Sequence, residues 1–210
     1  MGPSAAWDDL ELGWRTAFSQ AWTAFRHESF PVGAALVGAD GELIAEGRNT
    51  IFDPGGDGLS GSLLAHAEVA VLKCLSVEDR HDDVTLFSTL EPCLFCMGAV
   101  ITSRVGTVRY AGADSYGGAT HLPSTLNAQT GRYRIDVDGP LDGPIGRLAA
   151  ALPLVYLSAS SRWTRVVDYT REVDPELLET AWALSSLDAF RDPRAWEFVD
   201  ALEKGWPLVS

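Results

Sequence analysis

A strand, a helix and a second strand follow one another between residues 84 and 111, and this order constrains the fold more than any other feature. Val84–Ser88 and Val105–Ala111 have the pattern of strands, and Cys93–Ser103 has the pattern of a helix. Because two strands joined by a helix through short connections pair in parallel with a right-handed crossover, this segment predicts an α/β layered domain. Tyr133–Val137 is expected to add a strand, and Leu141–Ala151 a helix.

The residues before this segment predict two helices and a β-hairpin. Large apolar side chains recur every three or four positions over residues 5–26, which is typical of one amphipathic helix with its aromatic side in the core. Val32–Val37 and Glu42–Glu46 flank the turn Gly38-Ala39-Asp40-Gly41 and predict a hairpin. A glycine-rich loop follows, and a second helix is expected from about Leu63 to Leu75.

The last third of the chain predicts helices rather than strands. Asp174-Pro175 and Asp192-Pro193 each place a capping residue before a first-turn proline, which indicates a helix start. Gly205 and Pro207 are expected to end the last helix. We therefore expect two terminal helices, packed on the α/β domain as an appendage.

The length of 210 residues suits one sizeable domain or two small ones. Hydrophobic residues make up 46% and charged residues 21%, a balance typical of globular proteins that excludes general disorder. We expect residues 1–155 to form the main domain, including the N-terminal helix, and residues 156–210 to form a C-terminal helical extension packed on it.

Charge and cysteine content narrow the partners and the compartment. Sixteen Lys and Arg against 29 Asp and Glu give a net charge of −13, which repels a phosphate backbone, so we expect no nucleic-acid partner. No apolar run approaches the roughly 20 residues of a membrane helix, and the first residues do not resemble a secretory signal. Three cysteines are too few for a disulfide framework. A cytoplasmic protein without membrane contact is expected.

Two short motifs carry candidate chemistry: His66-Ala67-Glu68 and Pro92-Cys93-Leu94-Phe95-Cys96. Two cysteines three positions apart on a helix project from one face and can hold one metal ion. Pro92 suits a first helical turn, and the exposed amides at a helix start favour thiolates. His66, also near a helix start, supplies an imidazole nitrogen. Two thiolates and one imidazole are a donor set for Zn²⁺ rather than for magnesium or calcium.

The number of ligands separates a catalytic zinc from a structural one. Structural sites have four protein ligands, and catalytic sites leave one position open. Cys74 lies eight residues after His66, about 12 Å along a helix, which is too far to share the metal. The sequence leaves His27, His81 and His121 open as a fourth ligand, although none has a ligand-type spacing to the others. Glu68 points to a different side of the helix and could take a proton from a bound water. We favour an open, catalytic site, ahead of structural zinc and of a redox pair of cysteines.

The combined motifs resemble those of the cytidine deaminase-like superfamily, and most closely its tRNA adenosine deaminase and guanine deaminase branch. The resemblance covers about residues 30–114 and rests on Pro31–Ala34, Gly47–Asn49, His66–Glu68 and Thr89–Ala99. It implies a three-layer α/β/α sandwich around a mixed five-stranded sheet. It also implies a homodimer or higher oligomer.

The resemblance assigns roles to individual positions. His66, Cys93 and Cys96 would be zinc ligands, and Glu68 would carry protons. The expected substrate-binding positions are Asn49, Ala67, Glu91, Pro92, Asp114 and Tyr116. Of these, Asn49 would contact the substrate ring. Tyr116 and His121 lie in a segment that could cover the pocket or could equally be a solvent-facing loop.

The predicted function is zinc-dependent hydrolytic deamination of a small nucleobase or nucleoside. The run Leu90-Glu91-Pro92-Cys93 resembles that of purine-type deaminases, and this resemblance favours a purine such as guanine, guanosine or adenosine over cytosine-type substrates. Two alternatives remain open: a tRNA adenosine deaminase, and a non-catalytic deaminase-like domain in which zinc only holds the fold.

Overall fold

The computed structural model describes residues 2–55, 58–121, 127–132, 134–159 and 164–210. Its strands are β1 (Gly33–Val37), β2 (Leu43–Arg48), β3 (Thr85–Leu90), β4 (Thr107–Gly112) and β5 (Asp136–Asp138). Its helices are α1 (Pro3–Asp8), α2 (Leu12–Arg26), α3 (Ala67–Leu72), α4 (Leu94–Ser103), α5 (Ala128–Arg132), α6 (Gly143–Ser158), α7 (Thr164–Val173), α8 (Pro175–Ser185), α9 (Asp188–Arg191) and α10 (Phe198–Val209).

The five strands form one mixed sheet in the order β2-β1-β3-β4-β5. β1 pairs antiparallel with both β2 and β3, whereas β3 with β4 and β4 with β5 pair in parallel. The parallel pair β3–β4 is joined through α4, as the strand–helix–strand order predicts. The predicted α/β class with a mixed five-stranded sheet is therefore confirmed.

Helices cover both faces of this sheet because the central strands are apolar on both sides. In β1, Ala34 and Leu36 pack with α3 and α4, and the alternate residues Ala35 and Val37 pack with α2 and α6. All five residues of β1 are buried, as expected for a strand enclosed between two helical layers. This arrangement confirms the three-layer sandwich.

The N-terminal segment forms two helices, so the expected single helix over residues 5–26 is wrong. The chain leaves α1 at Asp9 and enters α2 after Glu11, whose carboxylate forms an ion pair with Arg109 of β4 at 2.6 Å. Trp7 packs on Phe198 of α10, with ring centroids 5.0 Å apart. Aromatic side chains of both helices thus pack on one core, with Trp7 half-buried and Trp14 buried, which explains the unbroken apolar pattern.

The C-terminal part is more helical than expected. Asp174 caps α8 and accepts a hydrogen bond from Leu177 N, as predicted, whereas Asp192 precedes only a short 3-10 turn, Pro193–Ala195. The last helix runs through positions 205 and 207 to Val209, so the expected stop there is wrong. Gly205 instead allows close packing, because a Cβ at this position would lie 2.8 Å from Leu184.

Three further expectations concern the boundaries of elements. The predicted helix over residues 63–75 is shorter and begins only at Ala67, with His66 at its cap position. The predicted strand over residues 133–137 lies at residues 136–138, and Tyr133 is outside the described residues. The division between residues 155 and 156 falls inside α6 and stays a prediction. No helix in the part of the chain that the structure describes combines the length and apolar character needed to cross a membrane.

Candidate zinc centre and active-site cavity

The starts of α3 and α4 bring three metal-binding atoms together. His66 caps α3 and Cys93 caps α4, while Cys96 lies in the first turn of α4. Nδ1 of His66 lies 3.7 Å from Sγ of Cys93 and 3.3 Å from Sγ of Cys96, and the two sulfurs are 3.7 Å apart. Pro92 therefore lies just before the cap, not in the first helical turn as expected.

These distances fit the edges of a tetrahedral zinc site. Bonds of about 2.3 Å to sulfur and about 2.0 Å to nitrogen place two thiolates about 3.8 Å apart and a thiolate and an imidazole about 3.5 Å apart. Within the described residues, this is the one group of three histidine, cysteine or acidic side chains close enough to share a metal ion. Cys74 is exposed and lies apart from it. The three residues therefore fit zinc with one position left for a further ligand.

The ionisation of the two cysteines also suits a dication. A hydrogen bond from the Cys96 thiol is the largest cause that lowers the pKa of Cys93 to about 4, with help from His66. The pKa of Cys96 is raised, because its proton is held in that hydrogen bond and because the side chain is buried. Because zinc binds thiolates, a bound cation would favour the release of the proton that Cys96 holds.

Glu68 lies in the first turn of α3, beside the three metal-binding side chains, and is not one of them. Its side chain is 4% exposed. Burial raises the pKa of the carboxyl above its ordinary value, and the charge of His66 is the largest opposing effect. The hydroxyl of Ser88 on β3 lies 3.3 Å from Oε1 and donates more closely, at 2.8 Å, to the Leu90 carbonyl. A buried carboxylate of this kind can hold and release a proton.

A cavity of about 370 Å³ is lined by Glu68 and by two of the three candidate zinc ligands, His66 and Cys93. Its lower wall comes from the sheet and the loops at its end, and is formed by Phe30, Val32, Asn49, Ile51, His66, Glu68, Leu90, Glu91, Cys93, Ala113, Asp114, Ser115 and Tyr116. Asn49 is 3% exposed and its Oδ1 accepts hydrogen bonds from Ser29 Oγ and Ile51 N, both at 3.1 Å. The structure thus brings Asn49 to the same cavity as Glu68.

The carboxylates of Glu91 and Asp114, both expected to bind substrate, organise the loop after β4. Oε1 of Glu91 accepts from Thr120 N at 3.2 Å and from Thr120 Oγ1 at 2.5 Å, and Oε2 accepts from Asp114 N at 3.3 Å. Oδ1 of Asp114 accepts from the backbone of Tyr116 and Gly117. Burial raises the pKa of Asp114 above its ordinary value. Both side chains still border the cavity.

The other expected substrate-binding positions differ in their relation to the cavity. Ala67 and Pro92 do not line it, and the Pro92 carbonyl accepts a hydrogen bond from Ala119 N at 3.0 Å. Tyr116 lines the cavity, is half exposed, and contacts Tyr169 of α7 edge to face, with ring centroids 5.5 Å apart. His121 is exposed.

The upper wall of the cavity comes from the C-terminal helices of the same chain, and sequence reasoning missed it. This wall, called the roof below, is formed by Ala150, Pro153, Leu154 and Leu157 of α6, Val166 and Thr170 of α7, and Leu177 of α8. Within the described residues, no lysine or arginine lines the cavity. The helical periodicity of these segments shows an apolar side but does not say that it faces a cavity.

Comparison with known proteins agrees with this geometry. The model of the cytidine and deoxycytidylate deaminase zinc-binding region matches residues 8–112. The tRNA(Ile)-lysidine synthase of Deinococcus radiodurans is 34% identical over 135 residues, 63% of this chain but only 22% of the synthase. The tRNA-specific adenosine deaminase of Streptococcus pyogenes is 29% identical over 126 residues, 58% of this chain and 75% of that enzyme.

A solved guanine deaminase from Nitrosomonas europaea has the same fold. Its TM-score is 0.54 at 23% identity, covering 70% of this chain and 84% of the other. The matched segment contains His66, Glu68 and Cys93, which line the cavity, and Cys96, which lies beside His66 and Cys93. The chain therefore belongs to the zinc-binding cytidine and deoxycytidylate deaminase family.

Proposed function

We propose that this protein hydrolytically deaminates an amino-substituted nucleobase or nucleoside, of purine type rather than cytosine type. The observation that carries the proposal is the position of Glu68, a buried carboxylate beside a three-ligand zinc site at the floor of a cavity. A fourth protein ligand would favour structural zinc, and the described residues offer three.

Each residue has a distinct part in this chemistry. When bound by His66, Cys93 and Cys96, zinc would supply a Lewis acid that makes a water molecule a better nucleophile. Glu68 would take one proton from that water and pass it to a ring nitrogen next to the amine-bearing carbon. As the carbon–oxygen bond forms and the carbon–nitrogen bond breaks, Glu68 would deliver the second water proton to the leaving amine. The products are an oxo-substituted ring and ammonia.

The cavity supports a small, unphosphorylated substrate. Its volume of about 370 Å³ lies within the range of small-molecule sites. The ionisable groups of its wall include the three carboxyl groups of Glu68, Glu91 and Asp114, without a lysine or arginine among the described lining residues. A phosphate placed there would lose its hydration without a cationic partner. Asn49, Asp114 and Tyr116 are proposed to contact the ring.

A panel of candidate substrates tests the proposal. Ammonia release would be measured for guanine, guanosine, adenosine, cytosine and cytidine with the wild type and with Glu68→Gln, and zinc content would be measured for both. We expect a purine to be the best substrate and the variant to lose about 10²- to 10⁴-fold in kcat while it keeps its zinc. A variant with bound zinc and full activity would show that Glu68 does not carry the protons.

Deamination of adenosine in tRNA is the second candidate, favoured by the similarity to the Streptococcus pyogenes enzyme. The net charge of −13 and the roof argue against it. RNA binding that weakens steeply with salt, with inosine formed in tRNA, would support this candidate. The expected homodimer and cytoplasmic location remain predictions, and light scattering of the zinc-loaded protein would test the first.

A further inference from the structure

The side-chain NH₂ group of Asn49 faces the cavity, and Ser29, a buried serine outside the motif residues, holds it in this orientation. Ser29 lies shortly after α2, beyond His27 and Glu28, and is fully buried, and its hydroxyl lies 3.1 Å from Oδ1 of Asn49. The backbone N–H of Ile51 is a second donor to the same oxygen at 3.1 Å. Because a backbone N–H can only donate, it fixes which end of the carboxamide is the oxygen.

The amide nitrogen of Asn49 is therefore turned toward open space. Among the described residues, this nitrogen has no hydrogen-bond partner. Every buried side-chain nitrogen or oxygen of those residues does have a partner. The nitrogen must then border accessible volume, and the volume next to Asn49 is the cavity. Its two N–H groups can donate to a bound ring.

Hydrogen bonds hold the backbone of Asn49, so the main motion left to its side chain is rotation of the amide. The backbone of Asn49 is held on both sides, since its N–H donates to Val32 O at 2.9 Å and its carbonyl accepts from Arg48 at 3.3 Å. Arg48 in turn forms an ion pair with Asp53. Ser29 is itself fixed, because its N–H donates to Ala24 O at 2.9 Å.

We propose that Ser29 is a positioning residue that holds Asn49 as a hydrogen-bond donor, so that the enzyme selects rings with an acceptor at that edge, either a carbonyl oxygen or an unprotonated ring nitrogen. The selection of a ring rests on the deaminase function proposed above. The orientation of Asn49 by Ser29 does not depend on that function.

The orientation can be tested without any substrate. The chain contains two asparagines, Asn49 and Asn127, so ¹⁵N-asparagine labelling gives two side-chain NH₂ pairs, assigned with Asn127→Ala. In Ser29→Ala we expect the Asn49 pair to shift and to gain motion, while the Asn127 pair stays in place. Ser29→Thr keeps the hydroxyl and should restore the wild-type signal. An Asn49 pair unchanged in Ser29→Ala would overturn the proposal.

A double-mutant cycle tests the effect on the reaction. On the best ring of the panel, Ser29→Ala should raise KM about three- to ten-fold with kcat within about two-fold, the size expected for one hydrogen bond. In an Asn49→Ala background the same change should have no further effect on KM. Full additivity of the two KM effects would show that Ser29 acts elsewhere and would overturn the proposal.

The controls separate folding and function. Ser19→Ala removes an exposed serine on α2 whose hydroxyl donates to Arg15 O, and should leave KM unchanged. If Ser29→Ala does not fold, Ser29→Cys keeps the volume with a weaker donor and should give the same shift of the Asn49 signal. If the wild type deaminates no ring of the panel, the deaminase function fails, and the NMR signal of Asn49 still decides the role of Ser29.

Discussion

Glu91 offers a sharp test, because its expected role as a substrate-binding residue and its observed contacts lead to different results. Its carboxylate accepts three hydrogen bonds from Asp114 and Thr120, and its own N–H donates to Gly112 O at 2.8 Å. Gly118 packs so closely on this carboxylate that a Cβ there would overlap it. Glu91 therefore ties the loop after β4 to the end of β3.

The cost of removing these contacts can be estimated. Hydrogen bonds to a charged group contribute about 1.5–3 kcal/mol each. Glu91 is only partly buried, so water would replace part of the three bonds in Glu91→Ala, and we expect a loss of about 2–3 kcal/mol. For a domain of this size, that loss lowers Tm by about 4–12 °C. KM should rise as well, because Asp114 and Tyr116 lie on the released loop.

Thermal unfolding and kinetics of the zinc-loaded protein would decide between the two roles. Glu42→Ala, which removes an exposed acidic side chain in the hairpin, is the control and should leave both Tm and KM unchanged. If Glu91→Ala melted within about 1 °C of the wild type and lost activity, the carboxylate would act on the substrate directly. That result would show that Glu91 does not hold the loop after β4.

Three further predictions concern the metal, the core and the cavity. Removing zinc with a chelator should abolish activity and lower Tm, because zinc at a free concentration of a thousand times its Kd adds about 4 kcal/mol to the free energy of unfolding. Cys74→Ser is the control and should leave the zinc content unchanged. Equal Tm values with and without zinc would contradict a metal held by the starts of α3 and α4. Gly33→Ala should lower the free energy of unfolding in denaturant by about 1–3 kcal/mol, because the added Cβ would overlap the Ala17 carbonyl of α2. Gly98→Ala, which has open space around it, should not destabilise the protein. Equal denaturation midpoints for the two variants would show that α2 can move away from β1. A 5′-phosphate on any accepted nucleoside should lower kcat/KM at least about 100-fold, and Leu157→Arg should reduce that difference. Efficient turnover of the phosphorylated nucleoside by the wild type would show that the lack of a cationic side chain in the cavity does not exclude phosphate.

The parts of the fold that short-range patterns determine were predictable. The order strand, helix, strand gave the parallel pair β3–β4, and the hairpin turn gave the antiparallel pair β1–β2. The floor of the site was predictable for the same reason. His66 and the two cysteines lie at the starts of α3 and α4, and each motif carries its own spacing.

Features that depend on contacts between distant segments were not predictable. The periodicity of Trp7, Leu10 and Trp14 fits one helix, yet the rings contact different elements, Trp7 packing on Phe198 and Trp14 on Phe87. A period of three or four positions cannot tell one helix from two that share a core. Gly205 was expected to end a helix, but its role is to allow α10 to approach α8.

The roof shows why the family motifs leave the substrate open. In the proposed reaction, the motif residues would hold a metal, a proton carrier and one hydrogen-bond donor at the floor, and these groups would meet the reacting edge of a ring. Other parts of a bound substrate would meet the roof on α6, α7 and α8, which lie outside the matched residues 8–112. Since this wall is apolar except for Thr170, whose hydroxyl donates to Val166 O at 2.9 Å, each polar group that a substrate places against it loses water with little compensation. The roof should therefore discriminate among the sugars and phosphates attached to a ring, so variants of the roof should change which substituents are accepted. In the proposed reaction, Asn49 at the floor would select the edge of the ring, and Glu68 would decide whether any ring reacts.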